Sequence, residues 1–134
     1  MMRRDGVGVA ITPSRRTDPT ATRVLAETLT PLGAWAWDGS GDNPYFGMLA
    51  LADAIIVTVD SISMVSEAVA TSAPVMLADL PGHSRRNTLF TKGLLRDGRV
   101  RAFAGRLEKW PVQPLDDTPA AAAEMCRRLG LTPC

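Results

Sequence analysis

Two segments of the sequence place a serine directly before a pair of arginines, namely Ser14-Arg15-Arg16 and Ser84-Arg85-Arg86. A guanidinium group binds two phosphate oxygens at once through parallel hydrogen bonds, so arginine pairs suit phosphate or diphosphate. A single arginine pair is as typical of a charged surface, where it pairs with acidic side chains, as it is of a ligand-binding site. Two pairs, each preceded by serine, favour a ligand, and we expect one anion site if the fold brings both to the same edge.

A third candidate segment is Asp60-Ser61-Ile62-Ser63, which lies between a strongly apolar stretch and a predicted helix. The first amides of a helix have no partner within the helix and bind anions well. Ser61 and Ser63 are equally suited to capping that helix, and Glu67 farther along also complements its dipole. The segment therefore adds a second kind of anion-binding group and leaves the capping role open.

Catalytic and metal chemistry have little support in the sequence. His83 is the only histidine; it can donate to a phosphate or act as a general base, but no carboxylate partner is visible for it. One histidine with no cysteine nearby does not make a zinc site. The chain also lacks the Gly-x-x-x-x-Gly-Lys loop and the Gly-x-Ser-x-Gly turn. We therefore predict no metal, no cofactor and no identifiable catalytic residue.

The elements that must position these loops follow from the apolar pattern. Short apolar runs predict strands at residues 6–12, 34–37, 54–59, 74–78 and 100–103. Helical spacing and stop glycines predict helices at 19–32, 45–51, 64–71, 88–95 and 120–129. This alternation indicates a single α/β domain over residues 1–134, with a Rossmann-like three-layer α/β/α fold and a mainly parallel sheet. The loops after successive strands then meet at one edge of the sheet.

Composition narrows the class of protein. The chain has 134 residues, fifteen Lys+Arg against fourteen Asp+Glu, and 46% hydrophobic residues. The near balance of charge argues against a nucleic-acid binder that relies on a broad basic field. No apolar run approaches the roughly 20 residues of a transmembrane segment, and the start lacks a secretory signal. Two cysteines are too few for a disulfide framework, so we expect a cytoplasmic protein, with peripheral attachment to the inner face of a membrane as the alternative.

Several motifs occur in an order that resembles a known family. They are Thr12–Thr17, Asn43–Ala50, Ala52–Thr58, Asp60–Ala68 and Leu80–Arg86, and the likeness continues through 98–103, 107–110 and 114–118. Together they resemble the C-terminal part of the mitochondrial-fission ELM family, whose bacterial members are related to GT-B glycosyltransferases. The resemblance covers nearly the whole chain.

The resemblance implies the donor domain of a GT-B protein, which binds a nucleoside-diphosphate sugar. Backbone groups around Ser61–Ser63 would hold the diphosphate, Glu67 would bind ribose hydroxyls, and Arg15 and Arg16 would face the diphosphate. Asp60 departs from the glycosyltransferase pattern, in which glycine is common at this position. GT-B transfer is metal-independent and takes place in a cleft with an N-terminal acceptor domain. That domain is absent here, so we expect weak nucleotide or nucleotide-sugar binding without turnover.

The candidate ligand-binding residues come from the loops and helix starts described above. They are Ser14, Arg15, Arg16, Ser61, Ile62, Ser63, Glu67, His83, Ser84, Arg85 and Arg86. Two alternatives stay open. The first is a non-catalytic protein-interaction module that docks through the helix bearing Tyr45, Phe46 and Met48. The second is a fragment with an exposed apolar face, which would pair with a missing N-terminal domain or form a homo-oligomer.

Overall fold

The computed structural model describes residues 2–14, 17–79 and 85–131, and its first half contains a small parallel sheet. After α1 (Met2–Asp5), β1 (Ala10–Ile11) pairs in parallel with β2 (Trp35–Ala36). Between them, α2 (Pro19–Leu29) starts at Asp18, whose carboxylate accepts a hydrogen bond from the Thr20 amide at 2.8 Å. A 3₁₀ turn (Thr30–Leu32) ends at Gly33, whose φ of 93° suits glycine and turns the chain into β2.

A second sheet forms the centre of the molecule. It contains β3 (Ile55–Thr58), β4 (Val75–Ala78) and β5 (Val100–Ala102), all parallel and in that order. Four helices accompany this sheet along the chain: α3 (Tyr45–Leu51) precedes β3, α4 (Ile62–Val69) joins β3 to β4, α5 (Arg85–Arg96) joins β4 to β5, and α6 (Thr118–Leu129) follows. Ile55 lies opposite Val75 and Val75 opposite Val100, so the three strands start level.

The hydrophobic core lies between this second sheet and its helices. Val75 and Val65 are 0% and 1% exposed, and they pack in one cluster with Leu94 of α5. The apolar face of α4 contributes Val65, Ala68 and Val69, which recur at the spacing of one helical stripe. The core is thus made of aliphatic side chains, with Phe90 only at its margin.

Arg99 is a buried charged residue directly before β5. Its Nη2 donates to the carbonyls of Val69 and Thr71 at 2.7 and 2.8 Å, and its Nη1 donates to the Ala73 carbonyl at 3.5 Å. Burial lowers the pKa of this guanidinium, yet an arginine in a protein keeps its charge. Arg99 therefore joins the C-terminal end of α4 to the start of β4, where its positive charge also suits the helix dipole.

The segment after β5 contacts β5 itself and the C-terminal end of α4. The Arg101 guanidinium lies over the Trp110 ring at 4.4 Å and pairs with Glu108, and the Leu115 amide donates to the Val69 carbonyl at 2.8 Å. In α6 no residue is buried, and Met125 and Leu129 are exposed. Among the described residues, α6 therefore adds no side chain to the core cluster.

The predicted α/β architecture with parallel strands flanked by helices is confirmed, with differences at the element ends. The first strand is shorter than predicted, because Gly6 ends α1 at φ 63° and Gly8 offers no side chain to pack. In the described residues, no ladder of hydrogen bonds joins β1 and β2 to the larger sheet. The prediction that α5 begins near Thr88 is wrong: it begins at Arg85, so the second arginine pair belongs to a helix.

Candidate functional site

The carboxyl ends of β3 and β4 lie side by side because Thr58 and Ala78 are register partners. The pairing continues one residue further, where the Val59 amide donates to the Ala78 carbonyl at 3.2 Å. The chain therefore leaves both strands at the same edge, and α4 and α5 each begin shortly after it. This is the edge at which parallel sheets bind ligands.

The N-terminus of α4 is built from Ser61, Ile62 and Ser63. Ser61 is the N-cap residue: its side chain accepts a hydrogen bond from the Met64 amide at 3.4 Å, and its carbonyl accepts from the Val65 amide at 3.1 Å. Ile62 and Ser63 form the first turn, and Ser63 is exposed. The capping role left open by the sequence therefore belongs to Ser61, while the first-turn amides are those that suit an anion.

The N-terminus of α5 lies against the same loop. Arg85 and Arg86 are exposed in its first turn, and the Asn87 side chain follows them. The Nδ2 group of Asn87 donates to the carbonyls of Val59 and Asp60, each at 3.0 Å. One amide side chain thus ties the second arginine pair to the segment that begins α4.

Replacing Asn87 with alanine should loosen this junction. The substitution removes both hydrogen bonds to the β3–α4 loop, and we expect the free energy of unfolding to fall by about 1–2 kcal/mol. Urea denaturation of the wild type and Asn87→Ala measures this change. Gln113→Ala, which removes an exposed amide, is the control and should change the stability by less than about 0.5 kcal/mol. Equal stability of all three proteins would contradict the bridging role.

The loop after β1 is described only on its two sides. Ser14 and Thr17 close a turn, in which the Ser14 amide donates to Thr17 Oγ1 at 2.9 Å and the Thr17 amide donates to the Ser14 carbonyl at 3.1 Å. Their hydroxyl groups are also 3.0 Å apart. Arg15 and Arg16 lie outside the described residues, as do His83 and Ser84, so their sequence-based assignments stay predictions.

Glu67 lies in the second turn of α4 and is exposed. The Tyr45 hydroxyl, at the start of α3, donates a hydrogen bond to Glu67 Oε2. Burial raises the pKa of Tyr45, and the hydrogen bond and negative charge of Glu67 raise it further. Tyr45 is therefore a neutral donor at ordinary pH, and it ties α3 to α4 beside the candidate site.

Among the described residues, two buried side-chain oxygens have no hydrogen-bond partner. They are Thr12 Oγ1, directly after β1, and Asp60 Oδ1, directly before the N-cap of α4. Buried polar atoms without a partner are rare, since each costs free energy that a donor would recover. A carboxylate oxygen suits a hydroxyl or amino donor rather than a phosphate, so the site offers an acceptor as well as anion-binding groups.

One residue and one contact that organise this region were not predicted from the sequence. Asn87 is visible only as the residue after the second arginine pair, and the Tyr45–Glu67 contact joins residues 22 positions apart. Within the described ranges, no group of three His, Cys, Asp or Glu side chains is placed to hold a metal ion. None of the described helices is both long enough and apolar enough to span a bilayer.

Comparison with known proteins places the chain in a family. The profile of the family described as Mitochondrial fission ELM1 matches residues 1–129. Mitochondrial fission protein ELM1 of Arabidopsis thaliana is 38% identical over 126 residues, covering 90% of this chain and 29% of that protein. An uncharacterised protein of Rickettsia prowazekii (strain Madrid E) is 33% identical over 117 residues, covering 81% of this chain and 33% of that protein.

No solved structure matches the chain. The chain spans about a third of the length of the curated relatives it matches. The family match nonetheless extends from the first residue through the last turn of α6, so it includes every element of the candidate site. The chain belongs to the mitochondrial fission ELM1 family.

Proposed function

We propose that this chain is the nucleotide-sugar-binding domain of a GT-B-like member of its family. The diphosphate would lie between the N-termini of α4 and α5, against the first-turn amides of α4 and the guanidinium groups of Arg85 and Arg86. The observation that carries the proposal is the Asn87 bridge, because it holds the two helix starts together. Two helix N-termini and two arginines at one edge suit a diphosphate better than any neutral ligand.

The unpartnered oxygen of Asp60 supports a nucleotide sugar over a bare diphosphate. A carboxylate beside a diphosphate repels it, and the repulsion grows with the charge of the ligand. A nucleotide sugar has a less negative diphosphate than a free nucleoside diphosphate and also brings hydroxyl donors. On this proposal Asp60 accepts from such a hydroxyl, which explains an acidic residue at a position where the resembling glycosyltransferases commonly have glycine.

The experiment is a calorimetric titration with uridine and guanosine diphosphates and their sugar forms. We expect binding with a Kd of about 1 mM or tighter, because two guanidiniums and two helix N-termini act together on the diphosphate. We also expect no sugar transfer or hydrolysis by the chain alone. Absence of binding at millimolar ligand, with circular dichroism showing a folded protein, would contradict the proposal.

A second candidate is a protein-interaction module, in which the site residues are structural. Two exposed apolar side chains of α3 favour it, since Phe46 is 72% and Leu51 is 86% exposed. Tyr45 and Met48 are less suited to this role than the sequence predicted, because both are half-buried. Replacing Arg85 and Arg86 with alanine distinguishes the two functions: it weakens nucleotide binding on the first and leaves partner binding intact on the second.

A further inference from the structure

The Tyr45 hydroxyl contacts Glu67, the side chain that the resemblance to GT-B proteins would place at the ribose hydroxyls of a bound nucleotide. Tyr45 donates to Oε2 of Glu67, and the exposed Glu67 carboxylate keeps its other oxygen for a ligand. An exposed glutamate on a helix samples several rotamers, and ordering it on binding costs conformational entropy. A hydrogen bond from a fixed donor reduces that cost because the carboxylate is already oriented.

The backbone of Tyr45 is held in the first turn of α3, and its ring contacts one neighbouring ring. Asn43 Oδ1 accepts from the Tyr45 amide at 3.0 Å, and the Met48 amide donates to the Pro44 carbonyl at 2.9 Å, which sets the first turn of α3. The Tyr45 ring also packs at a tilt against Phe46, with centroids 5.3 Å apart. A half-buried tyrosine held in this way is a rigid donor, unlike a lysine or arginine on the same surface.

We infer that Tyr45 is a positioning residue that orients Glu67 to accept hydrogen bonds from the two ribose hydroxyls of a nucleoside diphosphate. The inference rests on the proposed function and extends it, since it adds a residue of α3 that acts on the ligand only through Glu67. Tyr45 itself does not contact the ligand. Its effect passes through one carboxylate, and it is therefore specific to ligands that carry the diol.

The test compares Tyr45→Phe with the wild type by calorimetry, using uridine and guanosine diphosphates, their 2′,3′-dideoxy forms and inorganic pyrophosphate. We expect Tyr45→Phe to weaken binding of the ribose-containing diphosphates about fivefold, the usual effect of one hydrogen bond. Binding of the dideoxy forms and pyrophosphate should stay unchanged. In a Glu67→Ala background, Tyr45→Phe should have no further effect, because no carboxylate is left to orient.

The matched control is Glu27→Ala, which removes an exposed glutamate of α2 and should leave every affinity unchanged. Equal weakening of the ribose and dideoxy ligands by Tyr45→Phe would overturn the inference, because it would indicate a general structural effect. Unchanged affinity for the ribose ligands would overturn it as well. If neither nucleoside diphosphate binds the wild type, the proposed function fails and the inference fails with it.

Discussion

Replacing Arg99 with methionine is expected to lower the free energy of unfolding by about 3 kcal/mol, the largest stability effect predicted for this chain. Methionine fills a similar volume but donates no hydrogen bond. The carbonyls of Val69, Thr71 and Ala73 then lose a charged donor in a buried place. The loss falls where α4 ends and β4 begins, beside the core residues Val69 and Val75.

Thermal and urea denaturation measure this effect, and a loss of about 3 kcal/mol corresponds to a fall in Tm of roughly 10 °C for a domain of this size. Arg99→Lys is the informative second variant, because lysine keeps the charge but its single ammonium group cannot reproduce the planar fork. We expect it to be intermediate. Arg96→Met is the control, since Arg96 forms an exposed pair with Asp97 that contributes little. Similar stability of Arg99→Met and Arg96→Met would contradict the role assigned to Arg99.

Replacing both Arg85 and Arg86 with alanine is expected to weaken nucleoside-diphosphate binding about thirtyfold, which corresponds to about 2 kcal/mol. Both side chains are exposed in the first turn of α5, so the fold should be unaffected. Their contribution is electrostatic and should shrink as salt is added. The Debye length is about 10 Å at ~0.1 M salt and becomes shorter as salt is added. The difference in affinity between the wild type and the double variant is therefore expected to be smaller at about 0.5 M salt than at about 0.05 M salt.

The chain supplies a closely matched control for this experiment. Arg127 and Arg128 form another consecutive arginine pair, which lies on α6, where both side chains bond to Glu124. Replacing them with alanine changes the net charge by the same amount but at a different surface, and we expect affinity within about twofold of the wild type. If both double variants lose affinity equally, overall charge rather than the helix N-terminus determines binding.

Local signals in the sequence predicted much of the fold. The bounds of α3 agree with the prediction at both ends, and α2 begins at Asp18 with Pro19 next, because capping and proline preferences act within a few residues. The first strand was predicted too long, because its length depends on pairing with the two residues of β2, and the apolar run at 6–12 does not indicate how long β2 is. The start of α5 was predicted too late because the prediction relied on the spacing of apolar residues, and the first two residues of the helix, Arg85 and Arg86, are charged.

The contacts that organise the candidate site were less predictable. Ser61 and Ser63 were both suited to cap α4 in the sequence, and the helix begins two residues earlier than predicted, at Ile62, which makes Ser61 the cap. The hydrogen bond between Tyr45 and Glu67, and the bonds from Asn87 to Val59 and Asp60, depend on how distant elements pack. Arg99 is a similar case, because nothing in its neighbours indicates that its guanidinium is buried against the end of α4.

The most direct test of the anion site is a two-dimensional ¹H–¹⁵N NMR titration of the full chain with uridine diphosphate and guanosine diphosphate. We expect the largest amide shift changes at Ile62–Met64 and Arg85–Asn87, where the two helices begin. Amides of α6, which lies apart from the core, should not move. Shifts confined to α6 or spread evenly over the surface, or none at millimolar nucleotide, would contradict a diphosphate site at the N-termini of α4 and α5.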